Sequence, residues 1–236
     1  MFAILDVLAF AALGLTLVPA VAAEDDPATA TVELKKGDHV LFFGDSLTQL
    51  AGQEAPKQHV TRGYVRIVRE KLGATHKDRA VEVSWVATGG HKVSDLLKRV
   101  DKDAIAKKPT VVFIQIGVND ANAGVTAKAF KAQLEELIGR LQKANARVVL
   151  CSLTSLGEKH DGTNRNDKRL EELAEVARVV AKEQKVPLND LRKAFVDYWK
   201  TNNKENKPSG ILTYDGNHFN QSGMDFVAER MLSKFK

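Results

Sequence analysis

The sequence predicts an α/β fold, an open parallel sheet of about five strands covered by helices on both faces. Two observations predict it. Apolar, β-branched runs alternate along the chain with amphipathic helical patterns. Several of those runs are also continuously apolar, as Val111-Val112-Phe113-Ile114 is, which marks strands buried on both sides rather than one.

In chain order, residues 1–23 come first, with an apolar stretch from Val7 to Val18, then Pro19 and small residues. Ala20-Val21-Ala22 fits a small-x-small cleavage site, and Val21-Ala22-Ala23 fits it nearly as well. The stretch is shorter than the ~20 apolar residues that cross a bilayer. It therefore reads as a signal peptide, leaving one domain over residues 24–236 and an exported (periplasmic or extracellular) protein. The rival readings are an uncleaved anchor or a mis-called start codon that extends a cytoplasmic protein, since no Lys or Arg precedes the apolar run and Asp6 does. No cysteine follows the run to receive a lipid.

Residues 24–36 are polar, without a clear period, and read as a lead-in. Strands are expected at His39–Phe43, Val81–Val86, Thr110–Ile116, Arg147–Ser152 and Val186–Leu188. A helix around Tyr64–Leu72 follows the first. Phe130, Leu134, Leu137, Ile138 and Leu141 form one apolar helical face, and Leu170, Leu173, Ala174, Ala177, Val180 and Ala181 another. A last helix is expected over 221–235. Strictly alternating strands and helices give a three-layer α/β/α sandwich of the flavodoxin-like kind, whose ligands bind at the carboxyl ends of the strands. Unusual polar residues should therefore follow strands.

The 236 residues are enough for one sizeable core, and 44% hydrophobic with 28% charged is an ordinary globular composition. The formal charge of +5 is spread among acidic residues, as in Lys168-Arg169 before Glu171-Glu172. That excludes a nucleic-acid stripe. Cys151, the sole cysteine, follows an apolar run and reads as a buried, inert thiol.

Three segments carry chemistry. Gly44-Asp45-Ser46-Leu47-Thr48 follows the first strand, and a serine on such a strand-to-helix turn exposes its hydroxyl beside unpaired backbone donors. Read alone, it is equally a helix cap. Gly117-Val118-Asn119-Asp120 follows the third strand, either as a turn or as a donor amide aimed into a site. Asp215-Gly216-Asn217-His218 precedes the last helix, either as an Asx-turn with a surface histidine or as an Asp that, three residues before a His, orients the imidazole and leaves its other nitrogen free.

Together, in this order and spacing, these segments resemble the SGNH (GDSL-type) hydrolase family, named for the Ser, Gly, Asn and His of four sequence blocks. The match covers Gly44–Leu47, Gly117–Asp120 and Asp215–His218, spanning nearly all of residues 24–236. The glycine block falls in Ala87-Thr88-Gly89-Gly90-His91-Lys92-Val93-Ser94-Asp95-Leu96-Leu97. Aligning its Asp-Leu-Leu tail makes Gly90 the block glycine, with Gly89 as the alternative. Trp85 and Ala87 stand where the family often has Asn and Gly. The resemblance implies Ser46 as nucleophile, His218 as its base and Asp215 as the orienting carboxylate. It further implies an oxyanion hole of Ser46 N–H, Gly90 N–H and the Asn119 side chain, with no metal or organic cofactor.

His91 and Lys92 read as substrate contacts or as a solvated loop. His39, His59, His76 and His160 read as surface, loop or strand-end residues, and Thr154, Ser155 and residues 161–166 as the rim of the site. A binuclear metallophosphoesterase would need an Asp-x-His before Asp45 and further histidines after His218, and the sequence has neither. A glycan-binding module is the non-enzyme alternative. The expected substrate is a small-molecule or polysaccharide acyl ester, with short-chain, especially acetyl, esters of carbohydrate favoured by export and by the low aromatic content of 6%. Lysophospholipase, lipase or thioesterase activity is the alternative on the same site.

Overall fold

The computed structural model describes residues 26–53, 55–57 and 59–236. The expected signal peptide lies outside the described residues. Five strands, β1 (His39–Gly44), β2 (Glu82–Ala87), β3 (Val111–Gln115), β4 (Arg147–Cys151) and β5 (Leu188–Asn189), form one sheet in the order β2-β1-β3-β4-β5. All four pairings are parallel. Val40 to Phe43 of β1 and Val111 to Ile114 of β3 are fully buried, as continuous apolar runs require. The Phe42 ring lies 5.0 Å from that of Phe113 and 5.6 Å from that of Tyr64, joining sheet and helix in one core.

The helices are α1 (Ser46–Gly52), α2 (Tyr64–Thr75), α3 (Val93–Asp103), α4 (Val118–Asn122), α5 (Ala127–Lys143), α6 (Asp167–Glu183), α7 (Leu191–Asn202) and α8 (Gln221–Leu232). The chain steps from β1 outward to β2, then crosses back over β1 to β3 and continues the other way. Right-handed crossovers therefore put α2 on one face and α3, α5 and α6 on the other. The packing agrees: α3 lies on α5 and α5 on α6, while α2 lies on α8. The reversal of direction leaves a crevice between the carboxyl ends of β1 and β3, where such sheets take their ligands.

Two features differ from the sequence expectation. Helix α7 was not anticipated between β5 and the last helix. Its apolar residues Leu191, Phe195 and Trp199 recur at four-residue steps and are buried, and the side chain of Asp190 caps it by accepting the Lys193 N–H. The polar stretch before β1 is also part of the body. Val32 and Leu34 are buried, and Val32 bridges Phe235 in parallel at the far end of the chain. Two apolar residues are too few to set a period, so only their long-range partner explains them.

Glycines offer opposed tests of this packing. A Cβ on Gly223 in α8 would stand 1.9 Å from the carbonyl oxygen of Leu212, whereas one on Gly139 in α5 meets nothing within 4 Å. Gly139→Ala should raise stability by about 0.5–1 kcal/mol through helix propensity. Gly223→Ala should lower it by about 1–3 kcal/mol through overpacking. Thermal melts of the two variants check both signs.

Candidate active site

Strand β1 ends at Gly44 and α1 begins two residues later at Ser46. Between them Asp45, fully buried, caps the helix by accepting the Leu47 N–H at 3.0 Å. The turn leaves Ser46 half-buried, with its Oγ 3.2 Å from Nε2 of His218. The two residues are 172 positions apart in the chain.

On the other side of the imidazole, Nδ1 lies 2.7 Å from Oδ2 of Asp215. The second oxygen of Asp215 accepts the backbone N–H groups of His218 at 2.7 Å and Asn217 at 2.9 Å. Burial alone raises the Asp215 carboxyl, but the hydrogen bonds from the His218 ring and from these two N–H groups outweigh it and hold it below the usual carboxylate range. An ionised Asp215 accepts a proton-bearing Nδ1 and leaves Nε2 with its lone pair toward the serine.

What places this turn was not visible in the sequence. The fully buried carboxylate of Glu158 accepts three successive backbone N–H groups, from Ile211 and Leu212 at 2.7 Å each and from Thr213 at 2.6 Å. The carbonyl of Gly216 accepts from Gly157 N–H at 2.7 Å and from the Ser155 hydroxyl at 3.1 Å. Glu158 sits in a loop without period or motif, and no sequence signal marks it. Tyr214 stacks on the His218 ring at 5.8 Å and 17°, and His59 packs on Tyr214 at 4.5 Å. His59, an exposed loop residue as expected, is also a neighbour of the site through Tyr214.

The glycine segment follows β2. The Gly89 N–H is engaged by Gln49 Oε1 at 3.0 Å, whereas Gly90 sits in the left-handed region at φ +77°. Asn119 lies in α4, behind the turn at Gly117, whose φ of +122° excludes a side chain. Its Nδ2 donates to the His91 carbonyl at 3.0 Å and stands 3.5 Å from Asp45 Oδ2. The latter contact is at the limit of a hydrogen bond, so one amide hydrogen is available to a stronger acceptor. Asp120 accepts the Val93 N–H that opens α3, at 3.2 Å. All four segments meet at the switch point of the sheet.

Of the remaining residues, the His91 ring is held by Arg99 at 3.2 Å, and Lys92 pairs with Asp95 at 3.4 Å. Thr154 and Ser155 are fully buried, the Ser155 hydroxyl donating to the Gly216 carbonyl and the Thr154 carbonyl accepting from Arg192, so they do not form the rim. His39 bonds Ser84 at 2.6 Å, and His160 bonds the Asn203 carbonyl at 2.9 Å. Cys151 is buried, and burial pushes its thiol up to about 12. Among the described residues, no group of three or more His, Cys, Asp or Glu side chains is arranged to hold a metal ion.

A 2-1-3-4-5 parallel sheet with these segments on its carboxyl edge defines the class, a three-layer hydrolase of the SGNH type. The model of the GDSL-like lipase/acylhydrolase family matches residues 42–226, and the chain belongs to that family of carboxylic ester hydrolases. Among solved structures, the acetyl xylan esterase AlAXEase is 36% identical with a TM-score of 0.77, over 83% of this chain and 98% of that one. An acetylxylan esterase of Geobacillus stearothermophilus is 34% identical over 94 residues, 38% of this chain and 42% of that protein. An uncharacterized lipoprotein of Bacillus subtilis, YqeF, is 24% identical over 85% of this chain and 90% of its own. Among the described residues, no helix is long and apolar enough to cross a membrane.

Two carboxyls behind the serine make stability depend on pH. Burial first, and the charge of Asp120 besides, push Asp45 up to about 7 despite the Leu47 N–H. Burial likewise raises Asp120 to about 6 despite the Val93 N–H. An unfolded carboxyl titrates near 3.8, so between that value and these the folded chain binds more protons than the unfolded one. Each group then lowers stability progressively as pH rises through that window, and adds no further slope above it. Asp45→Asn and Asp120→Asn should flatten the decline, gaining most at neutral pH relative to the native chain. Thermal melts from about pH 4 to 8 check this; parallel curves for all three proteins contradict it.

Proposed function

We propose that this chain is an exported serine esterase that removes short acyl groups, above all acetyl, from carbohydrate. The observation that carries the proposal is the ordered contact of hydroxyl, imidazole and carboxylate, 3.2 Å from Ser46 to His218 and 2.7 Å from His218 to Asp215. Ser46 attacks the ester carbonyl as His218 takes its proton, and Asp215 holds the imidazolium that forms. The oxyanion is received by the N–H groups of Ser46 and Gly90 and by the Asn119 amide, which exchanges its long contact with Asp45 for a charged acceptor. His218 then protonates the leaving alcohol. Water, activated by the same imidazole, attacks the acyl carbonyl and releases the acid and Ser46.

The acyl preference draws on the acetylxylan-esterase relatives and on the low aromatic content of the sequence. Export draws on residues 1–23, read as a cleaved signal, with residues 24–236 as the mature domain; the lipoprotein relative points the same way.

Ser46→Ala should abolish both ester hydrolysis and labelling by a fluorophosphonate probe. Asn119→Ala should retain labelling with kcat reduced about 10²–10³-fold, the usual loss for one oxyanion donor. Wild-type turnover of p-nitrophenyl acetate by Ser46→Ala would end the proposal. A series of p-nitrophenyl esters from acetate to palmitate, followed by acetylated xylan, should show the highest kcat/KM for acetate and release of acetate from the polymer. A maximum at long chains would point instead to a lipase-type substrate.

A further inference from the structure

Arg99 of α3 reaches across two segments that approach the site from different strands. Its Nη2 donates to the carbonyl of Gly44 at 3.0 Å, and its Nε donates to Nδ1 of His91 at 3.2 Å. Nη1 pairs with Asp103 at 3.1 Å, and the guanidinium lies 4.7 Å from the centre of the Phe43 ring. The side chain is only 13% exposed, so these bonds are sheltered from water.

The position of this brace matters. The ladder between β1 and β2 ends with Gly44 opposite Ala87. Beyond it the Thr88 N–H reaches back to the Gly44 carbonyl at a long 3.4 Å. Ser46 follows Gly44 by two residues and Gly90 immediately precedes His91. Arg99 thus bonds both segments where the sheet's own hydrogen bonds give out, two residues from the Ser46 donor and one from the Gly90 donor. The carbonyl of His91 is also what the Asn119 amide donates to, at 3.0 Å, so the third donor is referenced to the same residue.

We propose that Arg99 is a positioning residue for the oxyanion hole, setting the spacing of the Ser46 and Gly90 N–H groups through Gly44 and His91. The proposal rests on the oxyanion-hole reading given above. A guanidinium has donors only, so His91 Nδ1 must be the acceptor, and the ring is neutral with its proton on Nε2. Burial of the ring, with the charge of Arg99 second, holds His91 below the ordinary histidine value, in keeping with that tautomer. Lysine cannot replace this side chain, because one ammonium cannot span two acceptors with a fixed planar fork.

The test uses the full mature chain with p-nitrophenyl acetate and a fluorophosphonate. Arg99→Met and Arg99→Lys should lower kcat by about 10²-fold, with KM little changed, because the donors act on the transition state. The rate of Ser46 labelling should fall in parallel, and added guanidinium ion should restore part of the activity of Arg99→Ala. His91→Gln, whose amide oxygen can accept from Arg99, should stay near the native rate, whereas His91→Leu should fall with Arg99→Met. This pair also decides the matter if the Arg99 variants fail to fold. Native kcat in Arg99→Met, or equal rates for His91→Gln and His91→Leu, overturns the proposal alone. Absence of Ser46 labelling in the native protein overturns the oxyanion reading and this proposal with it.

Discussion

Strand β1 is hydrogen-bonded along both edges, to β2 and to β3, and the site hangs from its last residue, Gly44. A Cβ there would lie 2.4 Å from the Gln115 carbonyl and from the Thr48 hydroxyl oxygen. The absence of a side chain lets the chain leave the sheet and enter α1 while still against β3. That tight exit directs Ser46 into the crevice where the chain reverses its direction across the sheet. If β1 were an edge strand, the glycine segment after β2 and the asparagine segment after β3 could not flank the same serine.

Three carboxyls, Asp45 and Glu158 buried and Asp215 exposed, organise the loops around that exit, and their surroundings give them different characters. Asp215 accepts two backbone N–H groups as well as the His218 ring, which holds it ionised. Asp45 has the Leu47 N–H and the distant amide of Asn119, with Asp120 as a repulsive neighbour, so it rises. Glu158 accepts three consecutive backbone N–H groups, Ile211 to Thr213, just before Asp215. One carboxylate bonds the His218 ring, another caps the helix that Ser46 opens, and a third anchors the loop that carries Asp215 and His218.

Much of this architecture is legible in the sequence because the core speaks in local periods. Val111 to Ile114 could only be a doubly covered strand, and the Phe130–Leu141 stripe a helix with one buried face. Helix α7 was missed although Leu191, Phe195 and Trp199 are correctly spaced, because its few apolar residues sit between Arg192, Lys193 and Asp197 in a short segment. The lead-in at Val32 and Leu34 carries no period at all, since its burial depends on Phe235 and Lys236 at the opposite terminus.

The amino-acid sequence by itself determined the layered α/β plan and the family, and it singled out the proposed reacting set, Ser46, His218 and Asp215 with Asn119 and Gly90 or Gly89. Those residues occur in short segments whose order and strand-end placement can be read along the chain. Only the tertiary structure decided which groups hold them: Glu158 beneath the Asp215 turn, Gln49 on Gly89, Arg99 between Gly44 and His91, and the Tyr214 ring against His218. Supporting contacts of this kind join positions as far as 55 residues apart, and a hydrogen bond depends on direction and distance that no local pattern encodes.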